Sequence, residues 1–236
     1  MGLDQLLQQG AVWRGREAAN EAIVATLSTG HVELDEMLQG QGWPSGNLVE
    51  VLYDTEGCGE LRLLLPLLAA SQERWVLWVD PPHIPYAPAL KAAGVALDRL
   101  LLVRSNSRRD RLWCLEQALK SGCCSAVLGW LGDVPPAALR RLQLAAAHGG
   151  GLGFIFRPTA CRDQSSAAPY RLLLEPEPQP DKVAVSVLKR RGGWPLSRRV
   201  LSLRARRASQ LGPAVARPIA GAPAQRPSLR VVSDGG

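Results

Sequence analysis

The chain has 236 residues, 46% hydrophobic and 21% charged, enough for one full core and a short extension. No apolar run approaches the roughly 18 uncharged residues of a membrane span, and the opening MGLDQLLQQG has neither a basic stretch nor a long apolar one, so no secretory leader is expected. The net charge of +7 is unevenly placed: from Lys182 onward there are twelve Lys and Arg against one acid, Asp234, so the remainder of the chain is mildly acidic.

Five cysteines (Cys58, Cys114, Cys123, Cys124 and Cys161) are odd in number and lack C-x-x-C spacing. They are expected to be free thiols in a reducing cytoplasm. His31, His83 and His148 are far apart and share no helix face, so no metal site is expected.

In chain order, residues 1–27 form an N-terminal helical arm with Leu3, Leu6 and Leu7 at helical spacing before Gly10, then Trp13. The arm is too short to be stable alone and needs a surface, either its own domain or another protein. Ser28–Leu38 reads as a short helix, and Gly40, Gly42, Pro44 and Gly46 make a turn-rich loop. Strands are predicted at Leu48–Tyr53, Trp75–Asp80, Leu100–Val103, Ser125–Leu131 and Leu152–Phe156. Helices alternate with them at Leu61–Ala70, with Pro66 inside, and at Pro88–Gly94, Arg108–Lys120 and Pro135–Ala147. Tyr170–Leu174, Val183–Leu188 and Leu196–Leu203 follow as strands without long helices between them, and Arg191–Trp194 makes the last hairpin turn. The alternation implies an α/β fold with a mainly parallel central sheet and antiparallel C-terminal strands. The core is placed at 28–203. Residues 204–236, rich in Ala, Pro, Arg and Gly, are expected to be a disordered basic tail.

The stretch GNLVEVLYDTEGCGEL (Gly46–Leu61) has the layout of a phosphate-binding P-loop: buried strand, glycine-bearing loop, helix. Its chemistry departs from G-x-x-x-x-G-K-[ST]. With Gly59 as the second glycine, Asp54 replaces the first, Glu60 replaces the lysine and Leu61 replaces the Ser/Thr. Gly57 and Gly59 still allow a tight loop, so the sequence leaves room for weak anion binding but not for hydrolysis. No catalytic residue and no cofactor is expected.

The segments STGHVELDEML…GWPSGNLVEVL and WVLWVDPPHIPYAPALKAAGVALDRLLLVRSN resemble the RecA ATPase core over roughly residues 28–203. The resemblance implies a RecA-like P-loop NTPase fold with a degenerate nucleotide site. On that alignment Pro82 falls where the water-activating acid would lie, and Trp130 falls at or near the metal-binding Walker B acid. The WRGR segment, the degenerate loop, FRP at Phe156–Pro158, AAPYRLLL and LKRRGGW are similar to the ImuA family of translesion-synthesis proteins, often grouped with the SulA cell-division inhibitors. The ImuA resemblance implies a non-catalytic, damage-induced adaptor in mutagenic DNA repair, cytoplasmic and nucleoid-associated when DNA is damaged. Its implied partners are an ImuB-like inactive Y-family polymerase, RecA and an error-prone polymerase. Two alternatives stay open: a SulA-like inhibitor binding the tubulin-like division protein, and a RecA-type ATPase with an atypical P-loop.

The expected contact residues for partner or DNA are Leu3, Leu6, Leu7 and Trp13 in the arm, Lys189, Arg190, Arg191 and Trp194 at the hairpin, Arg198 and Arg199 beyond it, and Arg204, Arg206 and Arg207 in the tail. Across the hairpin the two basic clusters are expected to lie close together. DNA binding there would be electrostatic and salt-sensitive, with Trp194 stacking on a base. The bland alternative is a charged edge that blocks sheet-to-sheet aggregation.

Overall fold

Eight strands form one mixed sheet in a computed structural model that describes residues 26–38, 42–105 and 107–203. The strands are β3 (Leu48–Leu52), β4 (Trp75–Val79), β5 (Leu100–Val103), β6 (Cys124–Trp130), β7 (Leu152–Arg157), β8 (Tyr170–Pro176), β9 (Lys182–Lys189) and β10 (Leu196–Ser202). Their order is β10-β9-β8-β3-β7-β6-β4-β5. The pairings from β8 to β5 are parallel; β8–β9 and β9–β10 are antiparallel. This is the mostly parallel α/β arrangement that the strand–helix alternation predicts. A two-stranded ribbon, β1 (Thr26–Leu27) with β2 (Trp43–Pro44), stands apart from the sheet.

The helices are α1 (Val32–Met37), α2 (Glu60–Ala70), α3 (Ala87–Ala92), α4 (Arg108–Ser121) and α5 (Pro136–Gly149). Alternation along β3 sends Val49 and Val51 to one face and Leu48, Glu50 and Leu52 to the other. The first face packs against Leu34 and Met37 of α1 and Leu63, Leu64 and Leu67 of α2. Trp43 packs edge-on against Phe154 there, with ring centroids 5.1 Å apart. The second face is covered by α4 and α5 through Leu115, Leu119, Leu139 and Leu142. Gly129 in β6 is needed for that contact, because a Cβ there would come within 2.8 Å of Leu115. The helix predicted at Ser28–Leu38 is shorter in the structure, Val32–Met37. The Asp35 carboxylate accepts from the Thr29 N–H at 2.8 Å and the Ser28 hydroxyl at 2.9 Å, so Ser28–Gly30 is a turn folded back onto α1.

The deepest polar feature is a carboxylate in the middle of the sheet. Glu50 in β3 has no solvent exposure, yet it lies in an otherwise apolar strand. Register sets it between Ile155 of β7 and Arg171 of β8. Its two oxygens pair with Arg157 at 2.6 Å and with Arg171. The guanidiniums are satisfied in turn. Arg157 donates to the Gly132 carbonyl at 3.1 Å and to Gln164 at 2.6 Å. Arg171 donates to the carbonyls of Arg162 and Cys161, each at 2.9 Å. The segment between β7 and β8 is thereby clamped over the second face.

Breaking one side of such a buried pair leaves an uncompensated charge and costs about 3–5 kcal/mol. Glu50→Ala should therefore lower the unfolding free energy obtained from urea titration by an amount in that range, whereas the exposed-pair variant Arg198→Ala should cost under about 1 kcal/mol. Equal losses in equilibrium urea unfolding would show that the buried triad is not a special stabiliser.

Candidate functional site

In open α/β sheets, ligands bind outside the carboxyl ends of the strands. Here the connections after β3, β4, β6 and β7 meet at that edge around a cleft of about 310 Å³, lined by Tyr53, Asp54, Glu56, Pro82, Trp130, Leu131, Gly132, Phe156, Arg157 and Pro158. The P-loop-like segment Asp54–Gly59 forms one wall.

The loop has the geometry of an anion cradle. Gly57 and Gly59 both take positive φ, at 76° and 108°, which turns successive N–H groups toward one point. That point is filled by the chain's own carboxylate. Glu60, 7% exposed, folds back so that Oε1 accepts from Gly57 N–H at 3.2 Å and Oε2 accepts from Gly59 N–H at 3.1 Å. The Cys58 thiol donates to the same Oε2 at 3.6 Å. The sequence places Glu60 as a repulsive replacement for lysine; the structure makes it the anion itself. The loop is also covered. A Cβ on Gly59 would lie 2.4 Å from Leu203, and Arg62 in α2 donates to the carbonyls of Pro180 and of Leu203, the latter at 3.0 Å.

The other positions agree. Asp54, at the first-glycine position, accepts from the backbone N–H of Thr159 at 2.9 Å and from its hydroxyl, tying the loop to the segment after β7. Those hydrogen bonds hold the Asp54 carboxyl below its ordinary value. Leu61 is half-buried against the core. Trp130, at the Walker B position, stacks on Phe156 with centroids 4.7 Å apart, and Tyr53 meets Phe156 edge-on at 6.0 Å. Burial, then the nearby Glu60 charge, pushes the Tyr53 hydroxyl up to about 12. Asp80, the β4 terminal acid, turns away in a left-handed conformation (φ 50°) to accept from Ser105 N–H at 2.7 Å and to pair with Arg111 at 3.2 Å. The residues present therefore do not fit a nucleotide and its magnesium. The cradle is taken, and the positions that the RecA resemblance implies for a phosphate-binding cation and a metal-binding acid hold Glu60 and, at or near the second, Trp130. Among the described residues no three His, Cys, Asp or Glu are grouped to hold a metal ion, and no helix is long and apolar enough to cross a membrane.

The basic end is arranged differently from its sequence expectation. Arg199 pairs with Val185 across β9–β10, with a register shift between Leu196 and Arg199. Lys189 is four residues further along β9, about 13 Å away at strand rise, so the two basic clusters do not face one another. Most of these cations are bound within the chain. Lys189 donates to the Ser166 carbonyl at 3.0 Å, and Arg190 donates to the carbonyls of Trp194 and Met37 at 2.8 and 2.9 Å. Arg198 pairs with Glu177 and Glu175, and Arg199 with Glu36 at 3.2 Å. Arg191 lies near Tyr170 at the turn, and Trp194 at the hairpin tip is 85% exposed. Leu3, Leu6, Leu7, Trp13, Arg204, Arg206 and Arg207 lie outside the described residues. The residues that sequence reasoning missed are Glu50, Arg157 and Arg171. Glu50 and Arg157 are the only charges in β3 and β7, whereas Arg171 shares β8 with Glu175, and what joins the three is strand order.

Two measurements test the loop. Removing the carboxylate leaves two N–H groups without a partner, so Glu60→Ala should lose about 1–3 kcal/mol of stability. Part of that loss should be recovered in potassium phosphate relative to potassium chloride, by more than the wild type gains; an equal gain in both proteins would mean that the loop holds no anion. Burial, reinforced by the Glu60 charge and hydrogen bond, also pushes the Cys58 thiol up to about 12, leaving it protonated at neutral pH. In peptide mapping after native alkylation at pH 8, exposed Cys123 should be modified and Cys58 should not; rapid labelling of Cys58 would contradict this environment.

Comparison with known proteins sets this geometry in a lineage. Residues 46–153 match the family model described as "Cell division inhibitor SulA". The cell division inhibitor SulA of Photorhabdus laumondii is 39% identical over 112 residues, 47% of this chain and 63% of that protein. The chain thus spans less than two thirds of that relative's length. The SulA of Edwardsiella piscicida is 36% identical over 46% of this chain and 67% of its own length, and that of Yersinia pestis 34% over 48% and 69%. These findings overturn the translesion-synthesis adaptor expected from the ImuA resemblance. They overturn as well its implied partners, an ImuB-like polymerase, RecA and an error-prone polymerase, because the matched relatives are division inhibitors and the shared segment is the loop-bearing core itself. The chain belongs to the SulA family of cell-division inhibitors.

Proposed function

We propose that this chain inhibits cell division by binding the tubulin-like division protein, and that it does so without catalysis. The observation that carries the non-catalytic half is the Glu60 carboxylate seated in its own loop. A loop so occupied has no seat left for phosphate, and the rings of Tyr53, Trp130 and Phe156 stand beside it. The division-protein half rests on kinship with the matched relatives, whose shared name is that of cell division inhibitors. We further infer that β3, the loop and α2 are a P-loop remnant in a RecA-like fold. The strand–loop–helix layout, the positive-φ glycines and the parallel strand pairing support that descent.

The test is polymerisation of the purified division protein with GTP, followed by sedimentation. Adding this chain should reduce pelleted polymer in proportion to the amount added, equally with and without ATP. Unchanged polymer at several-fold molar excess would sink the proposal, and an effect that requires ATP hydrolysis would sink its non-catalytic part.

A further inference from the structure

On the second face of the sheet, away from the loop, α4 and α5 enclose an open cleft of about 600 Å³ lined by Arg108, Arg109, Leu112, Trp113 and Arg141. Two features distinguish it. First, Arg108 and Arg109 pair with no carboxylate among the described residues, unlike Arg111, Arg141, Arg157, Arg171, Arg198 and Arg199. They also stand in the first turn of α4, where cations oppose the helix dipole and weaken the helix rather than support it. Second, Trp113 is 61% exposed beside them, an apolar surface left in water one turn along from the two arginines. Arg141 crosses from α5, held by Glu116 of α4, so the far wall is positioned rather than loose.

We propose that this cleft docks an acidic peptide segment of a partner protein. Carboxylates would pair with Arg108 and Arg109, and an aliphatic or aromatic residue would lie on Trp113 and Leu112. Arginine forks match carboxylates bidentately, and Trp and Arg are the residue types that carry most interface energy. The surroundings favour a peptide over a nucleic acid. Arg141 is taken by Glu116, which leaves Arg108 and Arg109, among the described residues, as the cations free at the cleft wall, too short a basic track for a continuous phosphate backbone, whereas a peptide can present its acids at two points only. This surface is separate from the loop and does not depend on which protein the chain inhibits.

The experiment is fluorescence anisotropy with the full chain and three fluorescein-labelled probes: a decapeptide of Glu and Leu, the same peptide with Lys for Glu, and a single-stranded oligonucleotide of similar length. The Glu peptide should bind and the Lys peptide should not. Arg108→Ala with Arg109→Ala should weaken binding at least about tenfold, and Trp113→Ala by about three- to tenfold. Raising salt should weaken the wild type more than the double variant. These positions are exposed, so thermal midpoints should stay within a few degrees of wild type and report folding directly. No binding of the Glu peptide at millimolar concentration, or binding unchanged in the double variant, overturns the proposal. Tighter binding of the oligonucleotide, lost in the same variant, overturns it in favour of a nucleic-acid site.

Discussion

A carboxylate withdrawn from water must be met by charge or by several donors, and two such carboxylates organise this molecule. Glu50 is the deeper. Placed in the central strand with no exposure, it requires a cation from each neighbouring strand, and Arg157 and Arg171 supply them. Those arginines in turn hold the carbonyls of Gly132, Cys161 and Arg162, so the connections after β6 and β7 are fixed from beneath. An apolar triad of equal volume would give similar or greater stability. What the charged one adds is direction, because each guanidinium donates only along the fixed directions of its N–H groups. The shape of the carboxyl edge of the sheet follows from that constraint.

Glu60 applies the same rule ten residues later with backbone N–H groups as the partners. The loop around it keeps the left-handed glycines of an anion-binding turn, and the chain provides the anion. Asp54 then ties the loop to Thr159, and the ring stack of Trp130 on Phe156 fills the ground above β6 and β7. Each replacement forms a contact of its own. The site is closed by the chain's own side chains.

Much of the sheet was legible because its signals are local. The apolar runs of β3, β4, β6 and β7 and the leucine spacing of α4 and α5 show the elements directly, and their alternation implies parallel pairing. The strand, glycine-bearing loop and helix of residues 48–70 were legible for the same reason. What Glu60 does was not, since residue type at a motif position says nothing about side-chain direction, and that direction depends on the φ angles of Gly57 and Gly59. The Glu50 triad joins positions 50, 157 and 171 and becomes visible only once strand order is known. Lys189–Arg191 border the hairpin turn while Arg199 lies further down β10 opposite Val185, so the basic clusters looked adjacent when they are not. Function was misjudged at the level of kin: the features of the loop and hairpin read as ImuA-like belong to a chain whose matched relatives are SulA proteins.

An anion that belongs to the chain never leaves it. A nucleotide-binding loop has two states, loaded and spent, and the difference between them serves as a clock. With Glu60 covalently in place, this loop has one state, and nothing in it can time an interaction or reverse it. Whatever the protein holds, it holds for as long as equilibrium dictates. The shape of the loop is then independent of any nucleotide or phosphate around it.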